Sequence, residues 1–213
     1  MDVKYLLKRK DIPLITIMIA VVNILVFIYM DFTGNTLDAG YLYQHGAMDV
    51  PSVLEDGEWY RVLTGMFMHS GFEHLANNMV MLIASGYVIE NIYGRWKYLI
   101  SYFICGIVAT AFSAGYEIYK DDYAIGVGAS GAIMGIFGIY VVMTMKEWKN
   151  IGRNDTSKLF VLIALMVFGN MQEGVDWMAH LGGALCGMVL GALLYHPRRK
   201  TTSQDSYYPY SND

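Results

Sequence analysis

Two residues in this sequence have the types and settings needed for nucleophilic chemistry. Ser130 lies in Ala124-Ile125-Gly126-Val127-Gly128-Ala129-Ser130-Gly131-Ala132-Ile133-Met134-Gly135, between a glycine-rich loop and a long apolar run. Polar, acidic sequence (Glu117, Lys120, Asp121, Asp122) precedes it. The chain is therefore expected to enter a membrane as a loop and become helical at about Ser130. Backbone that is not helical at membrane depth is tolerated only against protein or a wet cavity, which makes the place a candidate for function rather than an ordinary span. His180 lies in Asp176-Trp177-Met178-Ala179-His180-Leu181-Gly182-Gly183 and precedes Gly183, Gly187 and Gly191 by 3, 7 and 11 residues. Those offsets put the glycines on the histidine's own helix face. Gly131, Gly135 and Gly138 form a second small-residue stripe after Ser130. Small residues let membrane helices pack with close backbones, so two stripes that meet would draw His180 toward Ser130.

A serine hydroxyl becomes a useful nucleophile when a base takes its proton, and histidine is the usual base. The tetrahedral intermediate also needs donors for its oxyanion. His74 and Asn78, four residues apart, share a helix face and can supply them. The Ser130 backbone N–H, at a helix start, is a further donor. Nucleophile, base and donors together specify acyl transfer. Asp176, one turn before His180, reads either as a third member of a triad or as a helix N-cap, and the cap is the preferred reading. His69 and His74 are five apart, with Glu73 next to the second, so they do not form the HExxH pattern of a zinc protease. Neither a metal nor another cofactor is expected, and His45 and His196 are expected to face water.

These residues must be held by helices. The 213-residue chain is 55% hydrophobic and 16% charged, with its apolar residues gathered in long runs, the mark of an all-α, multi-pass membrane protein. Cys105 and Cys186 both fall inside such runs and read as packing residues. No strand alternation and no basic patch for nucleic acid is present. Residues 12–30 form a charge-free run of 19 residues, too long for the apolar core of a signal peptide. Residues 31–68 mix acidic and aromatic side chains, as an interfacial loop with short helices does. Further spans are expected at 69–93, 97–116, 130–145, 159–171 and 175–195, with a polar tail at 196–213. With both termini in the cytoplasm, six crossings leave 13 of the 15 Lys and Arg residues inside, Arg61 and Lys120 excepted. The positive-inside rule selects that topology. The helices that carry His74, Ser130 and His180 then all run inward from the outer face, where costly polar groups should face one another.

At this point the residues resemble a known family, the rhomboid intramembrane serine proteases, over Trp59 to about Gly191. Gly128-Ala129-Ser130-Gly131 resembles the family's GxSG nucleophile motif, and Ala179-His180 with Gly183 and Gly187 its AHxxGxxxG base motif. His74 to Asn78 matches HxxxN, with His69 at the position of the family's other frequent histidine. Trp59-Tyr60-Arg61 is similar to the WxR signature of the first outer loop, and Gly86, Glu90 and Gly94 to the structural GxxxExxxG element. The resemblance implies a six-helix rhomboid bundle over residues 1–195 with a large first outer loop. It implies a Ser130–His180 dyad and an oxyanion hole made by His74, Asn78 and the Ser130 N–H. Trp59, Arg61, His69, Glu90, Gly128, Gly131, Gly183 and Gly187 are implied as support. Met134 stands where several relatives carry an aromatic residue over the catalytic imidazole, and a methionine can also cover that ring. The implied substrates are single-pass transmembrane proteins, cut near the outer face of a prokaryotic plasma membrane, with a small side chain before the cut. A non-catalytic relative that binds or escorts transmembrane helices is the alternative.

Overall fold

A computed structural model describes residues 12–147 and 175–196. The basic N-terminal segment, the span expected at 159–171 and the tail from 197 lie outside the described residues. Those described form helices and no strand. They are α1 (Leu14–Thr33), the short α2 (Ala39–Gln44), α3 (Val50–Leu54) and α4 (Arg61–Thr64), a 3-10 turn at Gly65–Phe67, then α5 (Phe72–Tyr93), α6 (Arg95–Lys120), α7 (Ser130–Glu147) and α8 (Trp177–Leu194).

Among them α1, α6 and α8 are long and apolar enough to cross a membrane. Leu25, Ile28, Ile100, Val189 and Leu193 on these helices are each more than half exposed. Apolar surface of that extent is stable against lipid rather than water, so this is a membrane protein. At 26 residues α6 is about 39 Å long, more than the ~30 Å hydrocarbon layer. This helix runs past both limits expected from sequence, 97 and 116. The helix expected from residue 69 instead begins at Phe72, because Gly71 at φ +82 breaks the chain direction before it. His69 therefore sits in the turn that leads into α5.

The most enclosed helix is α7, packed by α5, α6 and α8. Its buried residues include Gly131, Ala132, Ile133, Gly135, Ile136, Gly138, Ile139 and Met143, and the remaining face, with Met134, Phe137 and Val141, is apolar and half-buried. A helix that is apolar on every face belongs inside a bundle. With Tyr98, Tyr102, Leu82 and Ile89 from its neighbours, α7 forms the core.

Glu90 explains how α1 begins. Pro13 stands at its N-cap and offers no side-chain acceptor, so the first N–H groups need partners from elsewhere. The Glu90 carboxylate, 3% exposed on α5, supplies them. It accepts from Ile15 N–H at 3.0 Å, from Thr16 N–H at 2.8 Å and from the Thr16 hydroxyl at 2.8 Å. A buried carboxylate is tolerable when saturated in this way. One turn earlier on α5, a Cβ at Gly86 would collide with Thr16 and the Tyr98 hydroxyl, so glycine permits the close approach of α1. Glu90→Ala should leave these donors unsatisfied and lower stability by about 3 kcal/mol. A thermal melt in detergent checks this; an unchanged midpoint would mean that the cap contributes nothing.

Candidate active site

The first turn of α7 is held from outside its own helix. Gly126 and Met48 exchange both backbone hydrogen bonds, each at 2.9 Å, in a single antiparallel bridge. Two residues on, Gly128 N–H donates to the Gly65 carbonyl at 2.9 Å. The loop that approaches Ser130 is thus satisfied by the 34–71 connection, as non-helical backbone in a membrane must be. Arg61 holds that connection in turn. It is 5% exposed, donates from Nη1 to the carbonyls of Tyr43 (2.8 Å) and Ala47 (2.9 Å), and pairs through Nε with Glu58. Its guanidinium lies over the Tyr43 ring at 4.6 Å. Ala47 precedes Met48, so the line of contacts runs from a buried arginine to Gly126, in the loop just before the serine. Trp59, by contrast, is 64% exposed.

Gly128 has φ +123, a conformation that a side chain rarely adopts. A Cβ there would also lie 2.9 Å from His74 Nε2 and 3.8 Å from Ser130 Oγ. The imidazole and the hydroxyl therefore share one side of this glycine. From α5, Asn78 donates its Nδ2 to the His74 carbonyl at 2.9 Å, which uses one of its two amide hydrogens.

The glycine stripes of α7 and α8 meet. A Cβ at Gly183 would overlap the Gly131 carbonyl, one at Gly187 the Gly135 carbonyl, and one at Gly138 the Ala184 carbonyl. Toward the N-terminal ends of both helices a Cβ on Gly131 would lie 3.6 Å from the Ala179 carbonyl. The residue after Ser130 is thus packed against the residue before His180. Ser130, His180, His74, Asn78 and Met134 all line one cavity of about 810 Å³. His180 is 9% exposed, and Ser130 is half-buried on the wall of the same cavity.

A profile of the Rhomboid domain matches residues 56–197. The chain is 35% identical to the rhomboid protease AarA of Providencia stuartii over 83% of its own length and 70% of that protein's. It is 29% identical to the rhomboid protease GluP of Bacillus subtilis over 87% of its length and 36% of the relative's. With a rhomboid-type serine protease 2 of Emericella nidulans it shares 30% identity over 63% of its length, about a quarter (26%) of that protein. The chain belongs to the rhomboid family.

In this rhomboid His69 packs beside His74. It is 1% exposed, and its ring meets that of His74 edge to face at 5.1 Å. Burial, with the neighbouring His74 as a lesser cause, pushes the His69 imidazole down to about 3, so it stays neutral over the physiological range. Among the described residues no group of three or more His, Cys, Asp or Glu side chains could hold a metal ion. His45 is exposed and bonds through Nδ1 to the Tyr41 carbonyl at 2.8 Å, and His196 is exposed at the end of the described chain.

Asp176 is the N-cap of α8 and accepts the Ala179 N–H at 2.9 Å through Oδ1. Its other oxygen accepts from the Ser113 hydroxyl of α6. Both carboxylate oxygens thus have partners, as a cap should. Residue types and spacing do not single out Ser113, Met48 or Gly65. Ser113 is one small hydroxyl in an apolar helix, and the backbone acceptors leave no mark on residue type.

Proposed function

We propose that this rhomboid is an intramembrane serine endopeptidase in which Ser130 attacks a peptide carbonyl and His180 takes the serine proton. The packing of Gly131 against Ala179 is the observation that carries this reading, since it sets the two side chains on adjacent turns of touching helices. In the first step the Ser130 oxygen bonds to the carbonyl carbon while its proton passes to the imidazole. The resulting oxyanion takes hydrogen bonds from the Ser130 N–H, His74 and Asn78. The imidazolium then returns the proton to the leaving amine, and water repeats the sequence on the acyl-enzyme.

The substrate class follows from the position of the site. Six membrane helices with both ends in the cytoplasm would open the cavity toward the outer face of a prokaryotic plasma membrane. A single-pass transmembrane helix could present its backbone there once it unwinds. Beside the serine, the His74 ring crowds the Cα of Gly128 so closely that a Cβ would not fit, which suits a small residue before the cut.

Reaction of the purified protein with a serine-directed fluorophosphonate tests this. Labelling is expected in the wild type and absent in Ser130→Ala. A wild type that is neither labelled nor able to cut a model transmembrane helix would leave a helix-binding protein instead.

A further inference from the structure

We propose that Ser113 is a positioning residue for the base, acting through Asp176 to set the first turn of α8 and so the direction of His180. This rests on the Ser130–His180 reading above. The glycine stripe explains how closely α7 and α8 approach, but it explains little about rotation. Residues without side chains offer no ridge that stops one helix from turning or sliding a little on the other. Something directional must hold the outer end of α8, and α6 provides it.

Two contacts one turn apart on α6 make this hold. The Ser113 hydroxyl, on a residue 8% exposed, donates to Asp176 Oδ2. The Tyr116 and Trp177 rings meet edge to face at 5.4 Å. Asp176 passes the constraint into the helix, because Oδ1 accepts the Ala179 N–H at 2.9 Å and its carbonyl accepts the His180 N–H at 3.2 Å. One residue is therefore bonded at once to α6 and to the turn that carries the imidazole. Charge-assisted hydrogen bonds are short and directional, which suits them to fixing an angle. Glu117, one turn after Ser113, competes for the same hydroxyl at 3.3 Å. A serine has a single hydrogen to give, and the closer Asp176 takes it.

The experiment is a set of substitutions read by steady-state cleavage of a transmembrane substrate in vesicles, fluorophosphonate labelling and thermal melting. Ser113→Ala is expected to lower kcat roughly 10- to 100-fold, the scale on which small misplacements of a catalytic group act. KM should stay within about twofold, since the Ser113 hydroxyl, although on the wall of the same cavity, is committed to Asp176 and not to substrate. The melting temperature should not change, and Ser113→Thr, which keeps the hydroxyl, should restore the rate. In an Asp176→Ala background the same Ser113→Ala change should cost nothing further, because its route to His180 is already gone. Asp176→Asn retains an acceptor for one partner at a time and should keep more activity than Asp176→Ala.

Wild-type turnover in Ser113→Ala overturns the proposal. So does a loss of equal size on top of Asp176→Ala, or a loss that tracks a fall in melting temperature. These outcomes leave the protease reading intact provided that the wild type is labelled at Ser130. A wild type without labelling or cleavage overturns both.

Discussion

Replacing His180 with alanine is expected to reduce cleavage of a transmembrane substrate by at least about 10⁴-fold while leaving the helices folded. In the proposed mechanism the imidazole does two things: it removes the serine proton and returns it to the leaving amine. His74 is a neighbour of Ser130 across Gly128, but it belongs to α5 and packs on His69. Adding Ser130→Ala to His180→Ala should lower the rate little further, since residues that act as one unit fail as one unit. The measurement is single-turnover cleavage in vesicles, with circular dichroism to establish that the helices persist. Residual turnover within tenfold of wild type (on the order of 1.4 kcal/mol in barrier) would transfer the role of base to another group, with His74 the first to test.

The second large effect concerns a residue that touches no substrate. Gly187→Val is expected to cost both stability and rate, because its Cβ would overlap the Gly135 carbonyl of α7. A backbone carbonyl inside a helix cannot swing aside as a flexible side chain does, so α8 itself must move out. Overpacking of this kind costs about 1–3 kcal/mol. Each ångström of displacement at His180 adds a rate loss on the order of 10². Val189→Ala is the control, on the same helix but 58% exposed, and it should change stability by less than about 0.5 kcal/mol. Melting and turnover measured on the pair decide it. An active, normally stable Gly187→Val variant would mean that the two helices are not held as closely as the glycine contacts require.

Both predictions draw on features already written along the chain. The apolar runs, the helix start at Ser130 and the spacing of Gly183, Gly187 and Gly191 behind His180 are periodic properties of a linear string. Periodicity survives in one dimension because a helix repeats every few residues. The cap at Asp176 was legible for a related reason, since aspartate before a helix has a local partner in the N–H groups that follow. Helix limits were less well marked. Phe72 rather than His69 opens α5, and the difference lies in the backbone angle of Gly71, which its identity permits but does not dictate.

By itself, then, the sequence determined which residues could react, on which helix faces they lie, and that their helices are apolar enough for a bilayer. The tertiary structure alone decided who meets whom across the chain. Glu90 finds Thr16 from 74 residues away, Ser113 finds Asp176 across 63, and Met48 finds Gly126 through backbone atoms that every residue possesses. Such partners are selected when buried polar groups must be satisfied inside a membrane. Which group satisfies which depends on where the packed helices have already brought them.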